Sequence, residues 1–108
     1  MLSKDKRLNL KKDFKWVAAG RKLESQYLTL FLRYGENTKA RVGIAVSSKV
    51  FKKATERNRA RRLVSQAFQS TISQLPSTVN MVALPKQGVL DVKSTDVLLD
   101  LEQALKKI

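Results

Sequence analysis

The chain has 108 residues, 43% of them hydrophobic, which is long enough for one packed domain over residues 1–108 and too short for two. Lys and Arg number 22 against 9 acids, and the net charge of +13 calls for a polyanionic partner, either nucleic acid or an anionic membrane surface. There is no Cys and no His, which removes disulfides, thiolate metal sites and the usual neutral-pH proton carrier, so catalysis by the chain's own side chains is not expected.

The charge is concentrated. Residues 1–22 and residues 49–62 each carry +6, while residues 63–108 are neutral. Charge carried for solubility alone spreads more evenly, so this distribution reads as a binding footprint. No apolar run approaches the roughly 20 residues that span a bilayer. The opening MLSKDKRLNLKK lacks the apolar stretch and cleavage site of a secretory signal, and a cytoplasmic protein is expected.

In chain order, Leu10, Phe14, Val17 and Ala18 form one helical stripe, with Gly20 placed as a left-handed cap. Gln26 to Tyr34 alternates as a strand, with Leu28, Leu30, Leu32 and Tyr34 on one face and Tyr27, Thr29, Phe31 and Arg33 on the other. Gly35-Glu36-Asn37-Thr38 is a turn leading to a strand over Arg41–Ser47, and a hairpin is the natural connection. That second strand turns Val42, Ile44 and Val46 inward. Its other face, Gly43, Ala45 and Ser47, is small enough for another element to lie on it.

A helix follows from about Ala54 to Leu75, with a stripe of Ala60, Leu63, Val64, Ala67, Phe68, Thr71 and Ile72 and a polar side of Asn58, Arg62, Ser65 and Gln69. Pro76 ends it. Val79–Leu84 suits a buried strand, and Ser94 or Thr95 caps a last helix whose stripe is Val97, Leu98, Leu101, Leu105 and Ile108. With room for one further short strand before the long helix, the order gives a two-layer α/β sandwich.

The strongest local signal is the run from Lys49 to Arg62. Arg57 with Arg61, and Asn58 with Arg62, are i, i+4 neighbours whose donors can meet successive phosphates of a folded backbone. The first turn of the helix adds free backbone N–H groups for an anion. A merely solvated helix face is the competing reading. The near absence of acids and the excess of Arg over Lys from Lys52 onward argue against it.

The string Lys-Lys-Ala-x-x-Arg-Asn-Arg-x-Arg-Arg-Leu at 52–63 closely resembles the signature of the bacterial ribonuclease P protein component. Arg7-Leu8, Asp13-Phe14 and Val17 resemble that family's first helix, Arg41-Val42-Gly43-Ile44-Ala45-Val46 its second strand, and Gln66-Ala67-Phe68 its helix continuation. Leu75-Pro76, a short strand and a final helix extend the likeness through most of the chain. The chain departs from the family at Trp16, Ala18, Ser48 and Leu84-Pro85.

The resemblance implies an αβββαβα fold, a mostly antiparallel small sheet and a left-handed crossover at the basic motif. A left hand is unexpected on general grounds, since crossovers are right-handed almost without exception. It also implies the non-catalytic protein subunit of a ribonucleoprotein whose active site is RNA. That enzyme hydrolyses a phosphodiester bond to remove the 5′ leader of precursor tRNA, with Mg²⁺ held mainly by RNA and substrate.

Carried onto this chain, contacts to the ribonuclease P RNA subunit fall on Lys49, Lys52, Lys53, Arg57, Asn58, Arg59, Arg61 and Arg62. The leader cleft falls on Phe14 and Phe31. Both phenylalanines also read as core residues, Phe14 the more so because it lies on the helical stripe. No membrane and no obligate protein partner are expected.

Three alternatives compete. A general RNA-binding or ribosomal protein explains the charge and the aromatics equally well, without requiring Arg-Asn-Arg at this place. A protein nuclease needs carboxylates converging within about 4 Å of a metal pair, drawn from Asp91, Asp96, Asp100 and Glu102. An amphipathic helix lying on anionic lipid is the third, disfavoured because the 57–72 helix lacks an exposed bulky apolar ridge.

Overall fold

The computed structural model describes residues 4–108; residues 1–3, part of the amino-terminal stretch considered above, lie outside them. A 3₁₀ turn at Lys4–Lys6 precedes α1 (Leu10–Ala18), β1 (Arg21–Glu24), β2 (Leu28–Tyr34), β3 (Arg41–Ile44), α2 (Ala54–Thr71), β4 (Val79–Pro85) and α3 (Ser94–Leu105). This is the expected αβββαβα order. The short extra strand is β1, ahead of the long strand rather than behind β3. Among the described residues, no helix is long and apolar enough to cross a membrane.

The hairpin expected between β2 and β3 does not form. The sheet order is β1-β2-β4-β3, with β4 antiparallel to β2 and parallel to β3. Side chains of β4 are buried on both faces, with only Leu84 half-buried, and such a strand takes a central place. The Gly35–Ala40 loop must therefore pass over the end of β4. Asn37 holds it there, its amide donating to Lys39 O at 2.7 Å and Ser77 O at 3.0 Å, and its Oδ1 accepting from Asn80 Nδ2 at 2.8 Å. The connection β3–α2–β4 is the crossover to which the family resemblance assigns a left hand.

α2 and α3 pack on one face of the sheet over Leu28, Leu30, Leu32, Val42, Met81 and Ala83, with Phe68 and Leu101 fully buried between them. This is the expected sandwich. α1 lies across part of the other face, where Val17 and Val82 are buried together with Leu8. The small face of β3 does receive another element, since a Cβ on Gly43 would stand 2.6 Å from Leu10 Cδ2.

Gly20 is not a left-handed cap, for no glycine in the described chain has positive φ. It is needed for close approach: a Cβ there would lie 2.9 Å from Arg33 Cβ and run into the Leu32 carbonyl. α3 is capped one residue earlier than expected, with Asp96 accepting from the backbone N–H of Lys93 at 3.0 Å. Asp100 on the same helix secures the β1–β2 turn. It accepts from Ser25 Oγ at 2.7 Å and from the N–H groups of Gln26 and Tyr27 at 3.0 and 2.9 Å.

The chain between β3 and α2 is anchored by Phe51, which is fully buried. Arg57 Nη1 then donates to Phe51 O at 2.9 Å and to Lys52 O at 3.1 Å, tying the first turn of α2 to the connector. Phe51→Ala is expected to lower stability by about 3–5 kcal/mol, the usual range for a large core aromatic, measured by urea unfolding. Asp100→Ala removes the acceptor for three exposed or half-buried donors, each bond worth about 0.5–1.5 kcal/mol net, and a loss of about 2–4 kcal/mol is expected from the same measurement.

Candidate nucleic-acid interface

The basic run divides between groups that the fold uses and groups that it leaves free. Lys49, Lys52 and Lys53 are exposed around the Phe51 plug, as are Asn58, Arg59 and Arg62 on α2. Arg57 is half-buried and committed to the two carbonyls of the connector. Arg61 is half-buried as well, its Nη1 donating to Asn58 Oδ1 at 3.0 Å. Arg57 and Arg61 keep their i, i+4 spacing on α2, the first clamped to backbone and the second bonded to Asn58 three residues earlier.

The helix start is set by Glu56, whose Oε1 accepts from Lys53 N–H at 3.3 Å. Among the described residues the ion pairs are Lys22–Glu24, Lys39–Asp5 and Lys86–Glu24, so no base between Lys49 and Arg62 is neutralised by an acid. Guanidinium and ammonium groups held this way present unsatisfied donors to any phosphate backbone that approaches.

Phe14 and Phe31 are brought onto the same side of the sheet, the side that α1 covers in part. Both are half-buried and pack against the small cluster of Leu8, Val17 and Val82. Register explains the placement. Gly43, Val82, Phe31 and Lys22 pair in one row across β3, β4, β2 and β1, and Leu84, Thr29 and Glu24 form the next. The Lys22 ammonium lies 5.9 Å from the Phe31 ring centroid, so a cation borders the aromatic floor.

Two bases near the cleft are taken up locally. Lys86 Nζ is 2.7 Å from Glu24 Oε2 and donates to Ser25 O at 2.8 Å. The Lys86 hydrogen bond, with its charge, holds the Glu24 carboxyl below its ordinary value of 4.5. Arg33 lies over Trp16, 4.7 Å from the ring centroid, and donates to Trp16 O at 3.2 Å. The sequence reading set Trp16 aside as a departure and placed Arg33 on a mixed face. Their i, i+17 partnership is invisible without the crossing of α1 over β2.

The carboxylates weighed for a nuclease do not converge. Asp96 closes the cap of α3 and Asp100 holds the β1–β2 turn, although both lie on one helix. Among the described residues no group of three or more acidic side chains is arranged to hold a metal ion. The described carboxylates therefore do not fit a Mg²⁺ pair.

Comparison with known proteins places this geometry. The family model described as Ribonuclease P matches residues 2–108. The ribonuclease P protein component of Pseudoalteromonas atlantica is 33% identical over 84 residues, covering 78% of this chain and 69% of that one. That of Acinetobacter baylyi is 30% identical over 108 residues, covering 98% and 82%. The Thermotoga maritima RNase P protein, solved in complex with 1-(4-fluorophenyl)-2-thiourea, superposes with a TM-score of 0.83 at 30% identity, covering 94% of this chain and 99% of that one. A Staphylococcus aureus RNase P protein at 22% identity shares the fold, with a TM-score of 0.79. With 94% of the chain superposed and residues 2–108 matched, the chain belongs to the ribonuclease P protein family, whose members serve tRNA processing as subunits of that ribonucleoprotein.

Proposed function

We propose that this chain binds the ribonuclease P RNA subunit through the exposed bases of α2 and its connector, and the single-stranded 5′ leader of precursor tRNA through the Phe14–Phe31 cleft. In this reading it is a non-catalytic subunit of a cytoplasmic endoribonuclease. The observation that supports it best is the basic run from Lys49 to Arg62, held by Phe51 and Arg57, with none of its basic side chains ion-paired to an acid among the described residues. A surface ordered before binding loses less conformational entropy on contact with a folded RNA.

The cleft suits an unpaired strand for a different reason. Half-buried aromatic rings beside lysines accept bases of any identity, because every base has a π face. The two surfaces lie on opposite faces of one sheet, so a single rigid body can hold catalytic RNA and substrate leader together. Hydrolysis, with Mg²⁺ bound by RNA and substrate, then needs no carboxylate from the protein.

The test is 5′ cleavage of a precursor tRNA at low Mg²⁺ by a bacterial ribonuclease P RNA, with and without the protein, and by the protein alone. Cleavage that needs both components is expected. Tight binding without stimulation of cognate RNA would favour a general RNA-binding role, and cleavage by protein alone would overturn a non-catalytic subunit. Arg59→Ala combined with Arg62→Ala is expected to weaken RNA-subunit binding tenfold or more. The slope of log affinity against log salt should fall by about 2, near one unit per lost phosphate contact. Phe31→Ala should weaken precursor binding by about tenfold, from a stacking contribution of ~1–3 kcal/mol, while leaving mature tRNA binding unchanged.

A further inference from the structure

At the β3 edge of the sheet a slot of about 200 Å³ opens between the amino-terminal segment, β3 and α2. It exists because the segment before α1 closes the edge: Arg7 bridges to Val42 in parallel, and Leu8 N–H donates to Val42 O at 3.0 Å. Leu8, Leu10, Val42 and Ile44 make its walls apolar, and Gly43 lets Leu10 settle against the strand. Arg7 and Arg61 stand at the slot from two different elements.

Ser65 also lines this slot. The sequence places it on the polar side of α2, yet it is 4% exposed. Its hydroxyl makes no hydrogen bond among the described residues, and no buried polar atom there is orphaned, so it meets the open space of the slot. An almost buried, unpartnered hydroxyl in an apolar recess lined also by two arginines is a recognition arrangement. Packing alone gives no reason for it.

Resting on the proposed RNA-subunit contact, we infer that this slot takes one unstacked nucleobase of the RNA subunit. A cavity of roughly 150 Å³ is enough for benzene, so about 200 Å³ admits a base ring. The hydroxyl both donates and accepts, which suits the edge of a base. Arg61 spends one N–H on Asn58 and keeps others for the phosphates beside that base, and Arg7 faces them from the far wall. Because Arg61 belongs to both the slot and α2, the slot is continuous with the proposed RNA contact. RNA readily supplies such a base, since recognition favours nucleotides splayed from loops and bulges.

The experiment has two arms. In the first, Ser65→Leu fills the slot from the helix, with thermal unfolding checking that the variant folds. Loss of about tenfold in affinity for a bacterial ribonuclease P RNA, with one base losing its protection from chemical modification, is expected. Wild-type affinity with an unchanged protection pattern would overturn the inference. In the second arm the unaltered protein is titrated with the four nucleoside monophosphates and, separately, with inorganic phosphate, and followed by amide NMR shifts. Shifts at Gly43, Ile44 and Ser65 with a nucleotide and not with phosphate support the base site; shifts with phosphate alone, or none, overturn it. Should the wild-type chain itself fail to bind the RNA subunit, the proposed function falls and the nucleotide titration alone decides the slot.

Discussion

β4 is the strand on which the rest depends. Val79, Met81 and Ala83 face α2 and α3 while Val82 faces α1, and nearly every one of its side chains is withdrawn from water. A strand apolar on both faces is most stable in the centre of a sheet, and its place there pushes β2 and β3 apart. From that separation come a parallel edge strand, the crossover through α2, and two usable faces. One face carries the main core; the other is only partly roofed by α1 and keeps Phe14 and Phe31 half open.

Electrostatics follows the same division. The acids of known partnership are spent on architecture: Glu56 and Asp96 at helix starts, Asp100 on a turn, Glu24 on Lys86 and Lys22. Among the described residues none forms an ion pair with a base of the connector or the first turns of α2. Positive charge is thus left where it repels itself, a cost that a phosphate backbone relieves on binding through counterion release. Arg57 shows how the fold tolerates the crowding, since its guanidinium serves the connector carbonyls and shapes the surface on which its neighbours stand.

Much of this was legible in the chain itself. The stripes of α1 and α2, the long alternating strand, the buried run at Val79 and the clustered charge all follow from periodicity and composition, because local geometry maps residue spacing directly onto faces. The Arg-Asn-Arg string led to the family, and the comparisons agree with it. What did not follow were partnerships distant in sequence. β1 is too short and polar to declare itself, and a turn at Gly35–Thr38 gives no warning that another strand will enter beside it. The Trp16–Arg33 stack and the place of Ser65 depend on how α1 and α2 cross the sheet.

The sequence by itself determined that the partner is polyanionic, the basic helix and the elements that make the sandwich, since charge and hydrophobic period are properties of the chain. Only the tertiary structure decided which bases remain free, that the two phenylalanines pack against one cluster, and that β4 rather than β3 stands beside β2. Each of those turns on the burial of a strand against both layers at once, a long-range balance that no local pattern records.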